Sequence, residues 1–530
     1  MMKKNPVQEA AAADQLLDLV KGTMRLFHAQ DGRPFAAVVR SGRTEHTEIN
    51  TERFRLLLAR EYFAAKGKTI PAAAIETAAR HLAAHAILDG PMVAVHNRVA
   101  PHPAGGFVID LADDSWESIV VTDGGWQITS GAAVFARDRA QVGMPRPADG
   151  GSIDELREFM PVSDTDWFLL VAWIVKAFTA GGPYPLLEIT GRQGSAKSVR
   201  TRLLVALVDP HIGDLQSLPR EERDLMIAAL HSHVLAFDNL SRLPAGMSDC
   251  FCRLATGGGF RIRKLYSDSE ETIIDACKPV VINGISRLCT QQDLISRAVQ
   301  ITVPPIAPEE RLSEEEVMAR FRAAQPRILG AFLTLLSRAL AILPQVQLDA
   351  MPRMADFARL GVAVERAAGW PPGSFLGAYD RSIQLALEAS VEEDPVGSAI
   401  AQLLGSQPSW SGTAADLLAA LTIYVSPSVL QSNRWPKAPN WLSHRLDRLA
   451  PGLEAMGITI ARQDYGEGGT RKKITLSRVE PEAPATGIAS AIAGEVACDE
   501  KSGVASAECL PLATFVTSDI FLAEGVEGDE

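Results

Sequence analysis

The sequence predicts an α/β protein whose central region contains a parallel β-sheet. Apolar, strand-like runs alternate with helical segments from Ile153 to about Pro305, which is typical of parallel sheets. A glycine-containing loop follows the first run and leads directly into a helical segment, and the second run ends in an aspartate. The runs cover residues 186–190, 233–237, 279–283 and 298–303.

The 530 residues are too many for a single core, and their patterns predict five parts. An N-terminal α+β accessory domain with a β meander comes before the α/β core. A helical region, expected to form a lid, and a winged-helix domain follow the core. The end of the chain is rich in Ala, Gly, Ser and Glu, and we expect it to be an acidic disordered tail. The predicted boundaries are 1–150, 151–305, 306–390, 391–478 and 479–530.

The formal net charge of −12 is unevenly distributed. Eleven acidic residues and one lysine lie between Glu480 and Glu530, so the rest of the chain is close to neutral and local basic patches decide whether nucleic acid is a plausible partner. The N-terminus has no apolar segment typical of a secretory signal, and the apolar run at 167–175 is too short to span a bilayer. The six cysteines show no metal-binding spacing. We therefore expect a cytoplasmic protein with no membrane association.

The loop after the first apolar run is close to a phosphate-binding P-loop, G-x-x-x-x-G-K-[ST]. In "GRQGSAKS" the lysine and serine are in place, but Ala196 replaces the glycine before the lysine. We expect the loop N–H groups to bind the phosphates of ATP, Lys197 to neutralise them and Ser198 to ligate Mg²⁺. Alanine is the least intrusive replacement for that glycine, and an ordinary strand–turn–helix is the alternative interpretation. The expected nucleotide-binding residues are Gly191, Gly194, Ser195, Ala196, Lys197 and Ser198.

Four further residues are expected to complete a catalytic site. Asp238 ends the second apolar run in the manner of a Walker B motif and would contact Mg²⁺ through water. Asn239 stands where many such ATPases have an acidic base, and an amide can orient a water but cannot accept its proton. Asn283 ends the third run and is a candidate sensor of the attacking water. Arg297 precedes the last run and is a candidate arginine finger for a neighbouring subunit. Taken singly, Asn283 and Arg297 also have structural interpretations.

Two basic regions are candidate DNA contacts. The segment "CRLATGGGFRIRKLYSD" predicts a glycine turn or hairpin, with a solvated basic hairpin as the alternative. Between Arg434 and Arg478, nine basic and four acidic residues accompany two helical segments and a strand pair, which is a winged-helix pattern. Winged helices bind DNA but also dock on proteins. The expected DNA-binding residues are Arg253, Arg261, Arg263, Lys264, Arg471, Lys472 and Lys473.

The order of these motifs resembles superfamily 3 helicases, and most closely the AAA+ half of phage- and plasmid-type primase–helicases and related bacterial ATP-binding proteins. "GRQGSAKS", "LAFDNLSRLP", "FCRLATGGGF" and "PVVINGI" carry the resemblance, which covers roughly residues 150–310. It implies a P-loop AAA+ core in a hexameric, ATP-driven ring that moves along DNA, here expected to be single-stranded. It also implies a role in mobile-element or phage-like DNA replication.

Other functions remain open at this stage. An ATP-gated DNA- or protein-binding switch with slow hydrolysis would fit Asn239, whereas a small-molecule kinase would leave Arg297 unexplained. A primase centre would need paired carboxylates. The aspartates in "FVIDLADDSW", namely Asp110, Asp113 and Asp114, lack a partner histidine, so a β-turn is the favoured interpretation.

Overall fold

The computed structural model describes residues 6–40, 42–263, 271–465 and 471–478. Lys264 and the predicted tail from residue 479 onwards lie outside these ranges. The N-terminal region contains three helices and two antiparallel sheets, with strand orders β1-β2-β3 and β4-β5-β6-β7, and the second sheet confirms the predicted meander. Its elements are α1 (Pro6–Val20), β1 (Met24–His28), β2 (Pro34–Arg40), β3 (Arg43–Glu48), α2 (Glu52–Lys66), α3 (Ala72–Leu88), β4 (Val99–Pro101), β5 (Phe107–Asp110), β6 (Glu117–Thr122) and β7 (Gly125–Ser130).

The central region contains the predicted parallel sheet, with strand order β13-β8-β12-β9. The four strand predictions are confirmed to within two or three residues. A separate antiparallel hairpin, β10 with β11, forms at the glycine-rich segment. The elements are α4 (Asp164–Ala177), β8 (Leu186–Thr190), α5 (Lys197–Val208), α6 (Glu222–His231), β9 (Leu235–Leu240), α7 (Ala245–Thr256), β10 (Gly259–Arg263), β11 (Glu271–Asp275), β12 (Val280–Gly284), α8 (Gln292–Ile295) and β13 (Ala298–Thr302).

Both faces of the parallel sheet are buried. Leu187 and Ile189 pack into a large core with α4 and the later helices, whereas Leu186 faces α6 and α7 on the other side, as the alternation of side chains along a strand requires. Complete burial of one such side chain stabilises the fold by about 1.5–3 kcal/mol. The apolar run at 167–175 lies within α4, and its side chains are part of this core.

Three helices follow the sheet: α9 (Glu314–Ile342), α10 (Ala355–Ala368) and α11 (Ser374–Glu393). The stretch Glu314–Gln345 has the length and hydropathy of a membrane span, but more than half of its most apolar window is buried within the protein. The segment around the predicted domain boundary at residue 150 lies against α9, where the Ala148 N–H donates to the Pro326 carbonyl at 2.9 Å. Short 3₁₀ helices cover Ile153–Glu158, Pro308–Glu310, Leu343–Gln345 and Thr422–Tyr424.

The C-terminal region has helices packed on a three-stranded antiparallel sheet of order β14-β16-β15. The sequence analysis missed β14, since it is only four residues long, has a single apolar residue and pairs with a strand more than sixty residues later. The elements are α12 (Pro395–Ser406), β14 (Ser409–Gly412), α13 (Ala414–Leu421), α14 (Pro427–Gln431), α15 (Pro439–Ala455), β15 (Ile458–Tyr465) and β16 (Arg471–Arg478).

A buried ion pair connects the N-terminal region to the central sheet. Arg98 Nε donates to Asp209 Oδ1 at 2.9 Å, and the two side chains are 0% and 4% exposed. Arg98 also donates to the Val142 carbonyl at 3.1 Å. The second carboxylate oxygen of Asp209 accepts from the backbone N–H groups of His233 and Val234, just before β9. Asp209, which ends α5, therefore connects three parts of the chain.

Candidate nucleotide-binding site

The loop between β8 and α5 has the shape that the P-loop interpretation requires. Gly191 passes so close to its surroundings that a Cβ there would lie 2.6 Å from the Val303 carbonyl oxygen and 2.7 Å from Ser195 Oγ. Gly194 has a φ of +84°, which glycine adopts readily and other residues rarely. Ser195 is fully buried. The loop is thus a tight turn that leads into the N-terminus of α5, where unpaired N–H groups favour anions.

Ala196 occupies a left-handed conformation, with φ of 51° and ψ of 35°, immediately before α5. The requirement at this position is therefore the left-handed backbone rather than the close passage expected from the sequence; Gly191 is where the backbone passes closely. A non-glycine residue in this conformation costs about 1–2 kcal/mol. Alanine holds the conformation here, so the missing glycine does not prevent the turn.

Lys197 closes over the loop from the first turn of α5. Its Nζ donates to the carbonyl oxygens of Gly191 at 2.8 Å and Arg192 at 3.1 Å. Partial burial lowers the pKa of Lys197, while the charge of Asp238 opposes that shift. Carbonyl oxygens thus hold the ammonium group at the mouth of the loop. Ser198 follows it in α5 and is partly buried.

Asp238 lies near the C-terminal end of β9, on the edge of the sheet where β8 leads into the loop, because these strands are parallel. Its Oδ1 is buried and has no hydrogen-bond partner among the described residues. A buried carboxylate oxygen without a partner costs free energy, and a hydrated cation would remove that cost. Ser198 and Asp238 therefore suit the Mg²⁺ that accompanies a nucleotide.

Asn283 connects the two sides of the site. Its Oδ1 accepts from the Asn239 N–H at 2.9 Å, and its Nδ2 donates to Thr201 Oγ1 in α5 at 2.9 Å. Asn283 is 1% exposed, whereas Asn239 is exposed and has a φ of 54°. The structure thus brings Asn239 and Asn283 together and shows that the Asn283 amide connects α5 to the end of β9. Its role as a sensor of water stays a prediction.

Comparison with known proteins assigns the chain to a family. Residues 153–385 match the model of actinomycete integrative conjugative element replication proteins. Residues 396–490 match the model of the RepA C-terminal domain of the same elements. The chain belongs to this replication protein family. The two matches together cover more than half of the chain, including the candidate nucleotide-binding residues. The protein is therefore a replication protein of a mobile element.

Solved structures resemble this replication protein only distantly. The A form apo structure of the NrS-1 C terminal region has 10% sequence identity and a TM-score of 0.37, and the match covers 88% of this chain and 98% of that one. A second apo structure of the same region has the same identity and TM-score, and the match covers 90% and 100% of the two chains. Similarity of this size does not define a common fold. No curated protein matches the sequence.

Arg297 lies at the opposite edge of the sheet from the loop. Its carbonyl oxygen accepts from the Leu186 N–H at 3.0 Å, at the start of β8, whereas the loop follows the end of β8. Five residues of strand separate the two edges by about 16 Å, so Arg297 cannot reach the loop of its own subunit. Its guanidinium contacts the Asp293 carboxylate at 2.5 Å and is 14% exposed. The pair with Asp293 fits a structural role, and any catalytic role of Arg297 would be at the loop of another subunit.

Two features beside the loop were not predicted from the sequence. Arg311 Nη2 would lie 3.4 Å from a Cβ on Gly194, which places a cation directly over the loop. A cavity of about 410 Å³ adjoins Ala196, within the size range of small-molecule sites. Its lining is mainly apolar and includes Phe159, Pro161, Val199, Leu203, Pro304, Pro305 and Ile306. These residues are far from the loop in sequence or belong to ordinary apolar patterns, so no sequence signal marked them.

The predicted DNA-binding residues lie in three places. Arg261 and Arg263 belong to β10 of the predicted hairpin. Arg253 does not, which corrects the sequence analysis, because that stretch continues α7 and Arg253 forms an ion pair with Glu222 at 2.6 Å. Arg471, Lys472 and Lys473 begin β16, and the two lysines are exposed.

The aspartates considered for a primase centre have structural roles. Asp110 is buried and paired with Arg137 at 2.6 Å. Asp113 Oδ1 accepts from the Glu117 N–H at 3.1 Å. Among the described residues, no three histidine, cysteine or acidic side chains form a group that could hold a metal ion. These contacts agree with the β-turn interpretation.

Proposed function

We propose that this replication protein is an ATP-driven DNA motor of superfamily 3 helicase type, with a P-loop AAA+ core, that acts in the cytoplasm in the replication of its mobile element. The proposal rests most directly on the buried Oδ1 of Asp238, which has no hydrogen-bond partner in the part of the chain that the structure describes. It lies on the same edge of the sheet as a glycine-containing loop with a lysine across its mouth, and an ordinary strand–turn–helix needs neither feature.

Residues in and around the loop would have separate roles in binding and positioning the nucleotide. Lys197 would leave the Gly191 carbonyl and contact the phosphates, and Arg311 would approach them from the other side of the loop. Ser198 and Asp238 would hold Mg²⁺, which neutralises the charge on the phosphate oxygens. Asn283 connects α5 to the end of β9 and would thereby hold Asp238 in place beside the loop. The apolar cavity beside Ala196 would accept the base.

The position of Arg297 supports an oligomer. Because it cannot reach the loop of its own subunit, a catalytic role requires the loop of another copy at that edge. A ring in which each subunit supplies Arg297 to its neighbour satisfies this requirement at every interface. We propose a hexameric ring on this basis.

The C-terminal region is proposed to be a winged helix that binds DNA. Its order of helix, strand, three further helices and a final strand pair, with β16 between β14 and β15, supports this proposal. Lys472 and Lys473 are exposed on β16. Trp441 at the start of α15 is 59% exposed and could stack on an unpaired base. Single-stranded DNA is therefore the proposed partner.

A second function, an ATP-gated switch with slow hydrolysis, is favoured by one observation. Asn239 takes the place next to Asp238, and an amide cannot accept a proton from water. In a switch, ATP binding would order the protein for DNA or protein binding without rapid turnover.

ATP turnover with and without single-stranded DNA separates the two functions, with mass photometry of the same sample to report assembly. We expect ring-sized particles and DNA-stimulated turnover, because the neighbouring Arg297 completes each site. ATP binding with DNA binding and negligible turnover would favour the switch instead. Failure to bind ATP at all would contradict both.

Replacement of Lys472 and Lys473 by alanine should weaken DNA binding and reduce its salt dependence. Each phosphate contact on a single strand contributes about 0.7 to the slope of log affinity against log salt concentration. We expect a slope about 1.4 lower, measured by fluorescence anisotropy over a salt series. Lys66→Ala/Lys68→Ala, which removes two exposed lysines near the end of α2, is the matched control.

The hairpin variant Arg261→Ala/Arg263→Ala/Lys264→Ala distinguishes the two candidate DNA contacts. If DNA also contacts the hairpin, the slope of log affinity against log salt concentration should fall for this variant too, and DNA should no longer stimulate its ATP turnover. An unchanged slope for Lys472→Ala/Lys473→Ala, together with a large loss in the hairpin variant, would show that the C-terminal region is a protein-docking module.

A further inference from the structure

One carboxylate holds two arginines at the edge of the sheet opposite the loop. Asp293 Oδ2 contacts Arg297 Nη1 at 2.5 Å, and Asp293 Oδ1 contacts Arg353 Nη2 at 2.7 Å. We propose that Arg353 is a second arginine that reaches the nucleotide of the neighbouring subunit, and that Asp293 is the residue that positions both arginines. This inference rests on the proposed function, since it requires the neighbour's loop at this edge.

Arg353 is fixed at this edge by contacts with the segment that carries Arg297. Besides the contact with Asp293, its Nη1 donates to Ser296 Oγ at 3.3 Å. Asp293 and Ser296 come from α8 and its C-terminal cap, directly before Arg297. Arg353 itself lies between α9 and α10, more than fifty residues later in the chain. Both guanidinium groups are therefore held together on the side of the sheet that cannot contact the subunit's own loop.

The cluster of Arg297, Arg353 and Asp293 has an excess positive charge that could bind another anion. Two guanidinium groups share one carboxylate, so the three side chains carry one net positive charge. A hydrogen bond from Arg297 holds the pKa of Asp293 below its usual range, with further help from the charge of Arg353. Asp293 is therefore ionised at neutral pH. Because Arg353 and Asp293 are 48% and 51% exposed, a phosphate group from outside the subunit can approach them.

Arg297 also keeps one donor unused. Its Nε is buried and has no hydrogen-bond partner among the described residues. A guanidinium that only supported the local fold would be expected to use its buried donors. The local fold therefore does not satisfy Arg297 completely, and a further acceptor would reach its Nε only after the side chain moves out of its buried position. The half-exposed Arg353 is accessible to that acceptor directly. A terminal phosphate supplies several acceptor oxygens of the required charge.

Steady-state ATP turnover of the full-length protein tests this inference. Arg353→Ala should lower kcat at least about tenfold, as loss of a donor to transition-state charge does, while KM for ATP stays within about twofold. Arg353→Lys keeps the charge but loses the paired donors and should recover only part of kcat. Arg322→Ala, which removes an exposed arginine of α9, is the matched control. Thermal melting of each variant checks the fold.

Mixed oligomers distinguish action on the neighbour from a structural role. Arg353→Ala subunits have an intact loop, and Lys197→Ala subunits have an intact Arg353, so a mixture of the two impaired proteins should show more turnover than the sum of the separate proteins. Asp293→Asn should lower kcat as Arg353→Ala does, and Asp293→Glu should retain more activity than Asp293→Asn. A loss of kcat that mixing never restores would show that Arg353 is only structural and would overturn the inference.

The outcome for Arg297 separates the inference from the function on which it rests. If Arg297→Ala abolishes turnover while Arg353→Ala and Asp293→Asn turn over ATP like the wild type, the second arginine is wrong and the ring ATPase stands. If the wild-type protein shows no turnover, or if Arg297→Ala retains all of it, the proposed function and this inference both fail.

Discussion

Replacement of Lys197 by alanine is expected to weaken ATP binding by about 100-fold, which corresponds to about 2.7 kcal/mol. Lys197 Nζ lies at the mouth of the loop, where the carbonyl oxygens of Gly191 and Arg192 hold it. The phosphates would replace these oxygens with stronger, charge-assisted contacts. Isothermal titration calorimetry with Mg·ATP measures the change directly.

Lys68→Ala is the matched control for this experiment. Lys68 stands in a Gly-Lys-Thr triplet that lacks the first glycine of a P-loop and follows the end of α2, so its loss should leave ATP binding unchanged. If Lys197→Ala bound ATP with wild-type affinity, the loop would be an ordinary turn and the proposed motor would have no nucleotide site here.

Replacement of Arg98 by alanine is expected to lower the free energy of unfolding by about 3–5 kcal/mol, because it leaves the buried carboxylate of Asp209 without its charged partner. Urea denaturation followed by circular dichroism measures this loss. Arg55→Ala, which breaks the surface pair with Glu76 at 2.8 Å, is the control and should cost no more than about 1 kcal/mol. If the two variants lost the same free energy of unfolding, the buried Arg98–Asp209 pair would stabilise the fold no more than a surface pair does.

The same pair predicts a specific response to acid. Burial by itself would raise the pKa of Asp209, but the charge of Arg98 and contacts with His233 outweigh it and lower the pKa to about 2. The stabilisation is therefore present above the ordinary carboxyl pKa of about 4 and is lost as the pH falls towards 2. Asp209→Asn should remove this part of the acid dependence, which amounts to about 2–3 kcal/mol. An unchanged difference between pH 5 and pH 2 would contradict the assignment.

The sequence predicted the parts of the site that depend on local patterns. Apolar runs mark the strands because both faces of the sheet are buried. Gly191 and Asp238 are recognisable because they directly follow those runs, and Lys197 because it stands at P-loop spacing from Gly191. The parallel arrangement that puts Lys197 and Asp238 on one edge follows from the alternation of strands and helices.

Features that depend on residues distant in the chain could not be predicted. Arg311 approaches Gly194 across more than a hundred residues of sequence. Asn283 was expected to face a water, but its two bonds to Asn239 and Thr201 depend on how β9, β12 and α5 pack. Arg253 was grouped with the hairpin because only its charge was visible in the sequence, whereas the helix that carries it ends three residues later.

The left-handed alanine at position 196 has a consequence for how the loop meets its ligand. Glycine there would populate both sides of the φ distribution in the unbound state, whereas alanine has far fewer accessible conformations. Folding therefore carries the cost of about 1–2 kcal/mol for this geometry before any ligand arrives. A phosphate group then meets a preorganised cradle, and little conformational entropy remains to be lost when it binds.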